Sequence, residues 1–183
     1  MQPPEEYNKA VTFLKGHSAD EIRHFNGSLL SHLESTYRLL RDWGNAEDLC
    51  IAGLCHAAYG TDGFPASLIE VSQRSELERT IGAGAERLVY FYASCDRSFL
   101  YPNIPGGSSI QFRDRFTGDV FVPDAFIFKR FLELTFANEL DIARGNADFL
   151  ERHGPGLERL LQPCRDLVSA PAYACFLDTF GRN

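Results

Sequence analysis

The stretch that decides the fold is HLESTYRLLRDWGNAEDLCIAGLCH, residues 32–56. In its first half Leu33, Tyr37 and Leu40 recur at steps of three and four residues, the spacing of an amphipathic helix. The same spacing can be followed upstream, so a long helix is predicted from about residue 19 to residue 43. This helix would present one apolar face to the core and would carry polar residues on the other.

A second helix is predicted in the other half of this stretch. Gly44 ends the first helix, and Asn45 is a suitable N-cap for the next one. The residues DLCIAGLC are apolar around most of a helical circumference, so we expect them to be buried. Gly53 among them would let another helix approach closely. Because a tight turn makes the two helices antiparallel, His56 would return to the level of His32.

The rest of the chain predicts an all-α bundle with one small β-hairpin. Alternating residues around Thr117-Gly118-Asp119 indicate a hairpin insertion at about residues 108–122. Pro123-Asp124 then opens a helix that extends to about residue 144. A last helical region, 156–180, is interrupted by two prolines. We expect residues 1–183 to form a single domain.

Composition and charge exclude several classes of partner. The net charge is −7, which disfavours nucleic acid and anionic membranes, because both bind basic surfaces. No apolar run approaches the roughly 20 residues of a membrane span. The beginning of the chain, MQPPEEYNKA, lacks the basic and apolar regions of a signal peptide. We expect a cytoplasmic protein whose partner is a small molecule; the oligomeric state stays open, a homodimer included.

The five cysteines indicate a reducing compartment rather than a disulfide framework. Their number is odd, and no pair has the C-x-x-C spacing of a zinc or redox motif. A structural zinc site made of thiolates is therefore not expected.

Four residues are candidates for a common site. His24 and His32 lie eight residues apart on the predicted long helix, about 80° apart around its axis, so both can face one cleft. His56 would face the same cleft from the next helix. Asp141 follows an apolar seam in FANELD, and a buried carboxylate needs a cation, a metal or hydrogen-bond donors. His153, beside Gly-Pro, is interpreted as a solvated loop residue.

These residues carry a resemblance to the HD-domain superfamily. Its members place a histidine on one helix, a His-Asp pair at the end of the next helix and an aspartate on a late helix. They include metal-dependent phosphohydrolases and di-iron oxygenases of the inositol-oxygenase type. The resemblance implies that His32, His56 and Asp141 are metal ligands. More narrowly, H-L-x-x-T-Y, W-G and A-G-L-x-H-x-x-Y-G-T, with YASCDRSF and RDRFTG, resemble a small HD-like family of unassigned function.

The sequence departs from the HD pattern at one position. Ala57 stands where the His-Asp pair has its aspartate, so a two-metal site is not favoured. A mononuclear site of His32, His56 and Asp141 would suit iron, manganese or zinc, and His24 would move a proton. If the missing aspartate abolishes the site, no metal is bound.

Three functions follow as alternatives. The first is a small-molecule hydrolase that uses a metal-activated water. The second is an iron-dependent oxygenase, mononuclear or dinuclear. The third is a metal-free binding protein or non-metal catalyst, with an aromatic pocket built from Tyr59, Phe91 and Phe112.

Further candidates lie in the loops. Tyr59 and Thr61 follow His56 and could hydrogen-bond a substrate as catalytic residues, or could only pack and end the helix. Asp96, Arg97 and Arg115 are candidate substrate-binding residues, since a guanidinium suits phosphate or carboxylate. The alternative is that Asp96 and Arg97 form a salt bridge that fixes their loop.

Overall fold

The computed structural model describes residues 4–25, 27–106 and 110–181. The chain is mostly helical with small antiparallel strand pairs, so the prediction of an all-α protein with a hairpin is confirmed at this level. The helices are α1 (Glu5–Gly16), α2 (Leu29–Asp42), α3 (Glu47–Cys55), α4 (Arg74–Ile81), α5 (Ala83–Ala93), α6 (Arg97–Leu100), α7 (Ala125–Gly145), α8 (Ala147–Leu161) and α9 (Ala170–Phe180). Short 3₁₀ helices span Val71–Gln73, Tyr101–Gly106 and Gln162–Leu167. The strand pairs are β1 (Arg23–His24) with β2 (Gly27–Ser28) and β3 (Phe112–Arg113) with β4 (Val120–Phe121).

The predicted long helix does not begin at residue 19. Its helical part, α2, starts only at Leu29, because Ser28 caps it in a reciprocal arrangement with Ser31. Gly27 has a φ of 138°, a value that L residues rarely adopt and that a helix excludes. The segment before α2 therefore folds back as the β1–β2 pair. The expectation that His24 and His32 share one helix was wrong.

Helices α2 and α3 form the expected pair, joined at Gly44 with a φ of 81°. The N-cap of α3 is Ala46 rather than Asn45, whose side chain instead donates to the Leu40 carbonyl and to Glu133. A Cβ at Gly53 would lie 2.4 Å from Cδ1 of Leu40, so the glycine permits the close approach of α2. This contact fixes the position of the end of α3.

Helix α7 runs through the centre of the protein and packs against α2, α3, α5, α8 and α9. Asp124 caps it by accepting hydrogen bonds from the amides of Phe126 and Ile127, as expected for the Pro-Asp start. Most of its side chains are buried, including the polar residues Asn138 and Glu139. The helix thus places polar groups inside the core.

The C-terminal helical region begins earlier than predicted. Helix α8 spans Ala147–Leu161 and contains Pro155. His153 therefore lies on a helix and not in a loop; its ring is exposed and contacts Phe149. The predicted hairpin is present around Gly118, although residues 108 and 109 of the predicted insertion lie outside the described part of the chain.

All five cysteines are free, and four of them are buried. In the part of the chain that the structure describes, no helix combines the length and the apolar character needed to cross a membrane.

Candidate functional site

A cavity of about 640 Å³ opens between the β1–β2 turn, the end of α3, α7 and α8. Much of its wall is apolar, formed by Phe25, Leu29, Phe64, Ile142, Phe149 and Leu160. Its size lies in the range of small-molecule sites. The polar part of the wall includes the histidines His24, His56 and His153, the arginines Arg97 and Arg159, and Tyr101.

Three of the predicted site histidines come together at the cavity. The ring of His24 stacks on that of His32, with centroids 4.2 Å apart and an angle of 18° between planes. The ring of His56 meets His32 edge to face at 5.2 Å. His24 and His56 line the cavity, whereas His32 is buried behind them. His24 therefore reaches the cavity from strand β1, and not from the long helix on which it was predicted.

Both ring nitrogens of His32 are hydrogen-bonded to residues of α7. Nδ1 lies 2.6 Å from Oδ2 of Asp141, and Nε2 lies 3.1 Å from Oδ1 of Asn138. The Asn138 amide donates from Nδ2 to Glu139, so its oxygen is the atom that faces His32 and accepts. A carboxylate oxygen of Asp141 and the amide oxygen of Asn138 thus hold the His32 ring from its two nitrogens. Asp141 thus pairs with His32, and no ion pair joins it to Arg115 or Arg144 in the described part of the chain.

The position of the proton on the His56 ring follows from its hydrogen bond to Gly53. Its Nδ1 lies 2.7 Å from the Gly53 carbonyl oxygen, which can only accept, so Nδ1 carries the proton. In the neutral ring Nε2 then has a free lone pair. Burial, and next the neighbouring His32, lower the pKa of His56 to about 3. His56 is therefore a neutral imidazole with an acceptor nitrogen at neutral pH.

His24 carries a buried nitrogen that has no hydrogen-bond partner among the described residues. This atom is Nδ1, and the ring lines the cavity. Burial and the proximity of His32 lower the pKa of His24 to about 4, although Asp141 acts in the opposite direction. The ring is neutral at pH 7 and offers hydrogen bonding to whatever occupies the cavity.

Arg97 and Tyr101 form the second polar side of the cavity. The Arg97 guanidinium donates to Glu139 at 3.1 Å and to the Tyr92 hydroxyl at 3.2 Å. The Tyr101 hydroxyl is buried and has no partner among the described residues. Burial also raises the pKa of this phenol, which therefore stays protonated as a donor. The prediction that Arg97 belongs to a site agrees with its position in the cavity wall.

The arrangement of His32, His56 and Asp141 does not fit a shared metal ion. Two ligands on one ion, with bonds near 2.1 Å, are separated by about 3 Å or more, whereas His32 and Asp141 are 2.6 Å apart as a hydrogen-bonded pair. The second nitrogen of His32 is engaged by Asn138. Within residues 4–25, 27–106 and 110–181, no group of three His, Cys, Asp or Glu is placed to hold a metal. The predicted metal centre stays a prediction.

Of the other two predicted catalytic residues, Thr61 lies in the cavity wall and Tyr59 does not. Thr61 lines the cavity, but its hydroxyl oxygen accepts a hydrogen bond from the Phe64 amide and holds the turn. Tyr59 is buried away from the cavity and donates to Glu86 at 2.8 Å. Tyr59 is placed as a structural residue, since Glu86 also pairs with Arg74.

The remaining predicted substrate-binding residues hold the fold around the cavity. Asp96 caps α6 and pairs with Arg113 at 3.2 Å, and not with Arg97. Arg115 donates to the carbonyl oxygen of Ala93. The predicted aromatic pocket is also not formed, because Phe91 stacks on Phe112 in the core at 4.3 Å.

Three residues of the site were not predicted: Tyr101, Asn138 and Glu139. The last two had a signal in the sequence, since FANELD places an amide and a carboxylate between apolar residues. Buried polar groups of this kind need partners, and here they connect Arg97 to His32.

Residues 13–97 match a family model described as a domain of unknown function, DUF6817. The matched segment contains His24, His32, His56 and Arg97, and it ends before α7. No curated protein matches the chain. The segment similar to this family thus includes the histidine cluster of His24, His32 and His56, and the description of the family names no activity.

Proposed function

We propose that this protein binds a small molecule in the cavity beside the histidine cluster. The observation that carries the proposal is that two residues of the cavity wall, His24 and Tyr101, each carry a buried polar atom, Nδ1 and Oη, that has no partner among the described residues. An unsatisfied buried polar group costs about 1–3 kcal/mol. A ligand that hydrogen-bonds both atoms would remove this cost, and its body would cover the apolar wall.

We also propose that the fold is HD-like. The antiparallel pair α2–α3 brings His32 and His56 within 5.2 Å, and α7 brings Asp141 to His32. This order of elements agrees with the HD pattern, apart from Ala57. The free cysteines support the expectation of a cytoplasmic protein.

A second candidate function is hydrolysis in the same cavity. It is favoured by Nε2 of His56, which has no partner among the described residues and can accept a proton from a water molecule. His32 lies 5.2 Å from this ring, and Asp141 would fix its orientation. The low pKa of His56 makes it a weak base, so binding is the leading proposal. Metal-dependent hydrolysis and iron-dependent oxygenation stay predictions.

The binding proposal is tested by a ligand screen read by NMR of the histidine ring protons. Compounds that stabilise the protein should shift the resonances of His24 and His56. Leu157→Trp, a partly exposed residue of the cavity wall, should fill the cavity and abolish these shifts. Ligands that stabilise both proteins equally, without moving either histidine, would locate binding elsewhere and contradict the proposal. Turnover of a bound compound, lost in His56→Asn, would favour the second function.

A further inference from the structure

We infer that the ligand is a monocarboxylate with an apolar body, which places its carboxylate on Arg97 and Tyr101. This inference rests on the proposed binding function and specifies the chemical class of the ligand.

The first argument is the distribution of hydrogen-bond donors. Arg97 has five N–H groups, and in the described part of the chain its side chain spends two of them, on Glu139 and Tyr92. Its guanidinium carbon lies 5.6 Å from the centre of the Tyr101 ring. The Tyr101 hydroxyl is a buried donor without an acceptor among the described residues. Neighbouring donors that lack an acceptor match an oxygen pair such as a carboxylate, for which the planar guanidinium is well suited.

The second argument is the charge of the cavity wall. Arg97 is a partly buried cation of the wall and pairs with Glu139, whereas Arg159 is exposed to solvent; the pKa values of His24 and His56 keep both rings neutral at pH 7. A carboxylate adds a single negative charge beside this Arg97–Glu139 pair. A phosphate monoester carries about 1.5 to 2 negative charges and would leave an excess that is unfavourable in a largely apolar cavity.

The third argument is the chemistry of the remaining wall. The cavity wall presents apolar surface from Phe25, Leu29, Ile142, Phe149 and Leu160. Aliphatic or aromatic groups of a ligand would bury this surface, which stabilises the complex by a free energy of roughly 25 cal/mol per Å². A small hydrophilic acid would leave it in contact with water. A ligand with an apolar body and one terminal carboxylate matches both the apolar wall and the hydrogen-bond donors of the cavity.

The class is tested by calorimetric titration with alkanoates of six to twelve carbons and phenylalkanoates. Each acid is compared with the primary amide and the phosphate monoester of the same skeleton. We expect the best acid to bind at least tenfold more tightly than its amide and than its phosphate. Equal or tighter binding of the amide or the phosphate would overturn the inference.

Two matched variants show whether the hydroxyl of Tyr101 makes the contact. Tyr101→Phe should weaken binding of the acid about tenfold, leave binding of the amide unchanged and not lower the Tm, because the free protein loses no hydrogen bond. Tyr59→Phe is the same substitution away from the cavity and should leave both affinities unchanged. An acid that binds Tyr101→Phe as tightly as wild type would overturn the placement of its carboxylate.

A neutral dye separates failure of the ligand class from failure of the binding function. Nile red should bind the wild-type cavity and should not bind the Leu157→Trp variant. If Nile red binds only the wild-type protein but no carboxylate displaces the dye, the inferred ligand class is wrong and the binding function stands. If Nile red binds wild type and Leu157→Trp alike, or binds neither, both proposals fail.

Discussion

His24 stacks face to face on His32, with ring centroids 4.2 Å apart, although the two residues lie on separate elements. The stack joins a ring whose Nδ1 has no partner among the described residues to a ring whose two nitrogens are hydrogen-bonded to Asp141 and Asn138. Burial of His24, and next the neighbouring His32 ring, disfavour a proton on His24, although Asp141 acts in the opposite direction. Protonation of His24 is therefore unfavourable in the folded protein.

The lowered pKa of His24 predicts that the folded protein loses stability in mild acid. The pKa of His24 is about 4 in the folded protein against 6.5 as its ordinary value, so the unfolded chain binds more protons between these values. Stability should therefore be fully present above pH 6.5 and should fall as the pH drops towards 4. His24→Phe keeps a ring in the stack but cannot titrate, so its stability should depend less steeply on pH in this window.

Urea unfolding at pH 7.0, 5.5 and 4.5 measures the effect. His153→Phe is the matched control, because it removes a histidine whose ring is exposed on α8. Its stability should follow the wild-type pH dependence. Equal slopes for wild type and His24→Phe would show that the stack has no influence on protonation.

A second prediction concerns the contact between α2 and α3. A Cβ at Gly53 would come within 2.4 Å of Leu40, which is fully buried, so either the side chain or the helix must move. Gly53→Ala should destabilise the protein despite the higher helix propensity of alanine, and Gly53→Leu should cost roughly 1–3 kcal/mol. Thermal unfolding measures both changes.

Gly156→Ala is the control for this prediction. Gly156 lies within α8, and a Cβ there would meet nothing within 4 Å. The same substitution should stabilise the protein by about 0.5–1 kcal/mol. If Gly53→Ala stabilises the protein as much as Gly156→Ala does, helices α2 and α3 can move apart without loss of stability, and the prediction is wrong.

The sequence was sufficient to predict the α2–α3 pair and the meeting of His32 with His56. Both follow from local signals, namely apolar periodicity, a turn at Gly44 and a glycine at a close helix contact. The start of α2 was missed because two local signals competed. The apolar periodicity begins at Leu29, and the predicted helix was extended upstream across Gly27, but the φ of 138° at this glycine and the cap at Ser28 make the helix begin only at Leu29.

The partners of the polar residues could not be predicted in the same way. Asp141 and His32 are 109 residues apart in the sequence and meet only because α7 packs on α2. The nearer Arg144 was an equally reasonable partner for Asp141 on local spacing. Tyr101 has no pattern that marks it, since its role depends on where a 3₁₀ helix meets the cavity.

A third prediction concerns the buried pair of Arg97 and Glu139. Glu139 accepts hydrogen bonds from both Arg97 and Asn138 and is almost fully buried. Glu139→Leu leaves the arginine without its charge partner and the amide without its acceptor. We expect a loss of about 3 kcal/mol, the lower end of the range for broken buried pairs, because Arg97 is partly exposed. Chemical denaturation measures it.

The double variant Arg97→Met/Glu139→Leu removes both charges and should recover part of this loss. Glu5→Gln breaks a solvent-exposed pair with Lys9 and should leave stability within experimental error. If the double variant is less stable than Glu139→Leu alone, the unpaired arginine is not the source of the loss.

The last prediction asks what His56 does. His56→Ala removes a buried ring and leaves the Gly53 carbonyl without its donor, which together should cost roughly 2–4 kcal/mol. His56→Asn retains an N–H at the position of Nδ1 and should lose less. If His56 is instead a metal ligand, both variants should lose bound metal, and the fold should largely survive on the apolar residues of α3.

Metal analysis of protein purified without a histidine tag separates these cases. Because both nitrogens of His32 are engaged by α7, we expect wild type to carry no stoichiometric metal after loading with iron, manganese or zinc. Ala57→Asp introduces a carboxylate at the cavity wall, next in sequence to His56, whose Nε2 is free, so this variant should gain metal. One equivalent in wild type that disappears in His56→Ala would contradict this expectation. Asp141 would then have to release His32 and bind the ion, as the resemblance to the HD superfamily implies.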